Sequence, residues 1–194
     1  MTDLPVDPIA IDVGQVLQHT ETSLYAQLVT RPTGRAVRMA IETRLHGAGP
    51  RSLSLIDFSE VAILDFSCAD EVVAKLIQRY LEPDPHEAFF VFRGVHEPHR
   101  DQVEYVLERQ GLLAVAETSP DTFELLGDRS GEEERAWLDL ERLRYVPAPE
   151  PGAAAVPDAP EPGWLDALVR RRVAFRSPVS GRVHALSHLV QHLL

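Results

Sequence analysis

The sequence predicts an α/β protein, and three observations point to it. Two nearly continuous apolar runs of strand length, Leu53-Ser54-Leu55-Ile56 and Ala88-Phe89-Phe90-Val91-Phe92, fit strands buried on both faces of a parallel sheet. Between them, Ala69, Val72, Val73, Leu76, Ile77 and Tyr80 recur at helical spacing, so one face of a helix is apolar. Asp70, Glu71, Lys75, Gln78 and Arg79 fall on the opposite face and are expected in solvent. The breaks Gly49-Pro50 and Pro83-Asp84-Pro85 bound this strand–loop–helix unit.

The remaining elements follow in chain order. Residues 1–10 carry Pro5 and Pro8 and read as an extended lead-in. Ile11 to His19 reads as a first strand with Val13 and Leu17 inward, and Thr20-Glu21-Thr22-Ser23 as a turn. Leu24 to Val29 is compatible with a strand or a helical turn. A helix starting at Pro32-Thr33 runs to Leu45, with Val37, Ala40, Ile41 and Leu45 inward and Gly47 as its stop. After the central unit, Glu97-Pro98 opens a helix that Gly111 ends. Leu112–Glu117 and Thr122–Leu126 read as strands around the turn Thr118-Ser119-Pro120-Asp121. Ser130 and Glu133 form a capping box for a helix to about Arg144.

Residues 146–162 contain six prolines and five alanines and read as a semi-rigid linker. The predicted organisation is a domain over 1–145, the linker, and a small helix–hairpin–helix module over 163–194. So short a module cannot bury an adequate core alone and is expected to pack on 1–145 of its own or a second copy, the latter making a homodimer. Charge supports that docking. The chain carries −11 overall, but residues 163–194 hold five arginines against the single acid Asp166. The acidic body argues against nucleic acid and anionic membrane as partners. One cysteine, Cys68, excludes an internal disulfide and fits a reducing, cytoplasmic setting; no apolar run is long enough to cross a bilayer.

The stretch Asp57-Phe58-Ser59, followed by Ser67-Cys68-Ala69-Asp70-Glu71 at a helix start, resembles the STAS-like branch of the sulfate-transporter and anti-sigma-antagonist fold. Arg31-Pro32-Thr33-Gly34-Arg35 resembles the segment that opens the branch's first helix. The likeness spans roughly residues 10 to 127. It implies a mixed sheet covered by helices and a non-enzymatic regulator, without cofactor. The implied partner is a kinase-like ATPase or an anti-sigma factor, engaged through Asp57, Asp65, Phe66, Ser67, Cys68, Asp70 and Glu71. In phospho-regulated members an Asp-Ser-Ser-Gly loop carries the modified serine. Here Asp65 matches the Asp, Phe66 occupies the modified position, Ser67 matches the second Ser and Cys68 replaces Gly. Ser67 is therefore the candidate phosphorylation site; read from the residues alone, it is the N-cap of the helix.

Other chemistry is weighed on the same residues. Asp57, Asp65 and Asp70 form a candidate metal or acid–base group, although loop-capping carboxylates are common. His86, His96 and His99 fall short of the four ligands of a structural zinc site. Cys68 beside a helix N-terminus is a candidate low-pKa thiol, set against a buried, inert one. Arg170-Arg171-Arg172 with Arg176 and Arg182 is a basic surface for docking or for nucleic acid. Two further functions stand beside the regulator. One is a small-molecule sensor using the sheet–helix crevice, with the tail as output. The other is an enzyme using the Asp65–Cys68 loop.

Overall fold

The computed structural model describes residues 5–20, 27–82, 86–148 and 156–194. Residues 1–4 of the lead-in, turn residues 21–23, residues 24–26, the break at 83–85 and residues 149–155 of the linker lie outside the described residues. The architecture is α/β, with a mixed central sheet flanked by helices. Its five strands run β1 (Asp7–Asp12), β3 (Arg51–Asp57), β5 (Glu87–Arg93), β6 (Leu113–Ser119) and β7 (Thr122–Gly127) in spatial order. The first four are parallel and β7 is antiparallel to β6. A second, two-stranded parallel ladder pairs β2 (Gln27–Leu28) with β4 (Ile63–Leu64).

The first strand differs from expectation. It lies at Asp7–Asp12, and Val13–Thr20 is a helix, α1. Val13, Val16 and Leu17 are spaced i, i+3, i+4 and all are buried, a helical pattern that also satisfies a loose alternation. Asp12 Oδ1 accepts the Gln15 backbone N–H at 3.1 Å and so caps the helix start. Pro8 is tolerated because β1 is an edge strand.

Helix α2 (Arg31–His46) is capped by Thr30, whose side chain accepts from Thr33 N. Residues 66–79 form α3, whose middle segment Asp70–Ala74 is π-helical. Helix α4 spans His99–Gln110 and ends at Gly111 in the left-handed region, φ 65°. These helices cover one face of the sheet, where Ile56, Phe58, Phe90, Phe92, Ala114 and Ala116 meet Val37, Ile41, Val72, Val73, Leu76, Val103 and Leu107. The predicted α3 stripe is buried throughout.

The opposite face is formed by the alternate residues Leu53, Leu55, Phe89, Val91, Leu113, Val115 and Leu125. Helix α5 (Gly131–Leu143), with the Ser130–Glu133 capping box in place, lays Trp137 and Leu140 there. The C-terminal residues complete the cover. Helix α6 (Pro162–Arg170) contributes Leu165 and Leu168, and helix α7 (Leu186–Leu193) contributes Leu186, Leu189 and Val190. Between them β9 (Ala174–Arg176) and β10 (Val183–Ala185) form the expected hairpin. β10 also pairs with β8 (Tyr145–Val146), so the segment before the linker shares a three-stranded sheet with the tail. Phe175 stands edge-on to Phe89 at 5.4 Å between ring centres.

Two tail arginines hold this contact. Arg171 bonds Glu133 at 2.9 Å and the carbonyls of Gly111 and Asp128. Arg172 pairs with Glu87, donates to the Leu81 carbonyl at 3.2 Å and lies over the Phe89 ring. The apolar residues expected to seek a partner surface thus find it within the chain. No helix among the described residues is long and apolar enough to cross a membrane.

Candidate functional site

The head of α3 collects most of the singled-out residues. Asp65, not Ser67, is the N-cap: its backbone is extended and Oδ1 accepts Cys68 N at 2.8 Å. The Asp65 N–H in turn donates to the Leu28 carbonyl at 2.8 Å, which ties the cap to the β2–β4 ladder. Ser67 sits inside the first turn and donates its hydroxyl to Asp65 Oδ1 at 2.9 Å. Both residues rank among good caps, so composition alone could not choose between them. Asp65→Ala should cost about 1 kcal/mol and Ser67→Ala only a few tenths, read from urea midpoints. The reverse ranking would return the cap to Ser67.

Cys68 is fully buried and donates its thiol to the Thr30 carbonyl at 3.0 Å. Burial, followed by the negative field of Asp65, pushes its pKa up to about 12, so it is a packed, protonated thiol and not a low-pKa nucleophile. Close approach of α2 explains the burial. A side chain at Gly34 would place its Cβ 2.9 Å from Cys68 Cα.

Glu71 also departs from expectation. It is 2% exposed and belongs to the interior. The cause is the π-helical turn, closed by Lys75 N–H to the Asp70 carbonyl. One extra residue in the turn rotates the chain by about 100° relative to a regular helix, so Glu71, Val72, Val73 and Ala74 are all buried. The carboxylate meets Arg31 at 3.0 Å, Arg38 at 3.3 Å and Lys75. Burial alone would raise its pKa, but Lys75 and Arg31 outweigh that and hold it below the usual carboxylate range. Asp70 bonds Arg31 at 2.6 Å and the Gln110 amide at 2.5 Å, and is likewise held low against its burial. This network links α2, α3 and α4. Its signal in the sequence was the i, i+7 pair Arg31 and Arg38 with the i, i+4 pair Glu71 and Lys75.

Asp57 is engaged separately. It ends β3, and its Oδ1 accepts the Ser59 N–H at 2.8 Å in a local turn. The three aspartates thus have three different tasks. Among the described residues no group of three His, Cys, Asp or Glu is placed to hold a metal ion. His99 is buried beside His96, and His86 bonds Ser52 Oγ at 3.0 Å.

Around this head lies an apolar surface that sequence reading missed. Phe66 is half-buried and packs edge-on against Tyr105 of α4, ring centres 5.2 Å apart. Tyr105 is 55% exposed and Ile63 of β4 is 46% exposed, and Val29 follows the neighbouring β2. β4 and α3 both contact α4 here. A separate cleft of about 350 Å³ opens at the amino ends of β3 and β5, lined by Leu45, His46, Arg79, Tyr80 and His86 among others. Comparison with protein-family models, with curated proteins and with solved structures finds no match to this chain.

Proposed function

We propose that this chain is a non-enzymatic, cytoplasmic regulatory protein that acts by binding another protein through the head of α3, in the manner of the STAS-like fold it resembles. The observation that carries the reading is the apolar surface of exposed Ile63 and Tyr105 and half-buried Phe66 beside the polar Ser67 and Asp65. Aromatic anchors next to accessible hydrogen-bonding groups are what protein interfaces select. Cys68 and Glu71 then serve as supports under that surface, since both are buried. The proposed partner is a kinase-like ATPase or anti-sigma factor, and any chemistry belongs to it. Phe66 at the family's modified position leaves Ser67 as the hydroxyl for a phosphate, but Asp65 already occupies the amide that such a group would use. Partner binding without phosphate control is the simpler reading.

A purified partner should bind Tyr105→Ala at least tenfold more weakly than the unaltered chain, with no change in melting temperature, as expected for an interface aromatic. Equal affinity for both proteins would remove the α3 head from the interface. A second reading, small-molecule sensing, is favoured by the cleft at the amino ends of β3 and β5. A small molecule that co-purifies with the chain and is lost on His46→Ala or Tyr80→Ala would favour it.

A further inference from the structure

Outside the α3 head, the most unusual group is Glu141, at the carboxyl end of α5. Its Oε2 accepts the Ser187 hydroxyl from the first turn of α7, while Oε1 is sealed from solvent with no hydrogen-bond partner. One turn earlier on α5, the Trp137 Nε1 is likewise buried without a partner. A carboxyl group with one donor in an apolar setting suits the protonated form, because the charged form needs several donors or a cation.

Among the described residues, no hydrogen bond or ion pair brings a cation to this carboxyl, and the neighbouring charged and titratable groups are engaged elsewhere. From β10, His184 faces the rings of Tyr145 and Phe175. From β8, Tyr145 lies under the Arg182 guanidinium. From α6, Asp166 pairs with Arg176. From α7, His188 lies tilted against His192 at 4.1 Å between ring centres, and its pKa is lowered by burial, His192 and Arg144. Among the described residues, no salt bridge includes Glu141.

We infer that the seating of α7 on α5 is proton-controlled: the neutral Glu141 carboxyl keeps the helix closed, and loss of its proton to solvent loosens it. The carboxylate left behind is relieved when α7 lifts and water reaches Oε1. Burial raises the pKa of Glu141 to about 7, opposed by the Ser187 bond. The sign follows. A carboxyl whose closed-state pKa lies above its free value of about 4.3 favours the closed state fully at low pH, and that preference is lost as pH rises from about 4.3 to about 7. Because α7 contacts β5, and its Leu186, Leu189 and Val190 belong to the same apolar cluster as Val91, release uncovers an apolar surface within the physiological range.

Hydrogen exchange on the full chain tests this, with amide rates corrected for their intrinsic pH dependence. Protection of α7 amides should fall about tenfold between pH 6 and pH 8, while α3 amides stay unchanged. Glu141→Gln should abolish the pH dependence of α7 alone. A flat wild-type profile, or an equal fall in Glu141→Gln, overturns the inference. If Glu141→Gln does not fold, Ser187→Ala decides: removing the one donor found among the described residues should move the transition to higher pH, and an unmoved midpoint overturns it.

Discussion

A chain ended after residue 148 is expected to lose its cooperative fold or to melt at least 10 °C lower than the full chain. The tail is a layer of the molecule and not an appendage. Leu53, Leu55, Phe89, Val91, Leu113 and Val115 form one face of the central sheet, and Phe175, Leu165, Leu168, Leu186, Leu189 and Val190 lie in the same apolar cluster. Uncovering even three or four such side chains, at about 1.5–3 kcal/mol each, amounts to much of a total stability of roughly 5–15 kcal/mol. Helix α5 still covers part of the face, so residual structure is expected on the α3 side. The truncation also removes Arg172 from Glu87, which keeps Arg51, and Arg171 from Glu133, which keeps its capping-box bond to Ser130. At about 2–4 °C per kcal/mol for a chain of this size, a loss of several kcal/mol gives the stated shift. Dye binding to exposed apolar surface should rise in parallel. Phe175→Ala in the full chain is the milder companion, expected to cost about 3–5 kcal/mol because it opens a cavity against Phe89. A truncated chain that melts like the full one, with an isolated tail folded by itself, would make the tail an independent module.

Charge and size made this docking legible in the sequence. A +4 segment of about 30 residues beside a body of −15 has few alternatives to packing on it. The central unit was legible for a different reason: its strands are continuous apolar runs between Gly/Pro breaks and its helix carries a 3.6-residue apolar stripe, so β3, α3 and β5 follow from residue order and spacing. Misreadings arose where two periods fit the same residues. Val13, Val16 and Leu17 serve a helix, yet Val13 and Leu17 alone also fit an alternating strand, and only the Asp12 cap separates them. Glu71 was misplaced because a π turn has no sequence signature in a regular 3.6-residue count. The cap was misassigned to Ser67 because Asp65 lies two residues away and is as good a capping residue. The surface of Ile63, Phe66 and Tyr105 is a tertiary product of β4, α3 and α4, and no single segment announces it.

Replacing Val73 by Asp should unfold the whole protein, and the reason lies in how the head of α3 is supported. Val73 is fully buried in the π-helical turn, within the cluster that includes Ile56, Phe58 and Phe92. A carboxylate there must either lose its hydration or take up a proton, and an unpaired buried charge costs several kcal/mol. The neighbouring cations offer no relief. Arg31, Arg38 and Lys75 already bind Asp70 and Glu71. Drawing one of them to residue 73 would leave Glu71, 2% exposed, short of a partner, which exchanges one buried charge for another. Local refolding of the turn into a regular helix offers no escape, because residue 73 lies on the apolar stripe of a regular helix as well. Against a stability of roughly 5–15 kcal/mol, the expected outcome at 25 °C and pH 7 is loss of the folded circular-dichroism signal or of most of the melting transition. Val73→Ala removes volume without charge and should cost about 2 kcal/mol. Gln78→Asp, exposed on the same helix, should leave melting unchanged. The Asp variant should regain part of its stability below pH 4, where the carboxyl is neutral, unless acid destabilises the Glu71 network first; comparison with Val73→Asn removes that ambiguity, since Asn carries no charge at any pH. A Val73→Asp protein that stays soluble and melts like the unaltered chain would mean that α3 does not seat this face on the sheet.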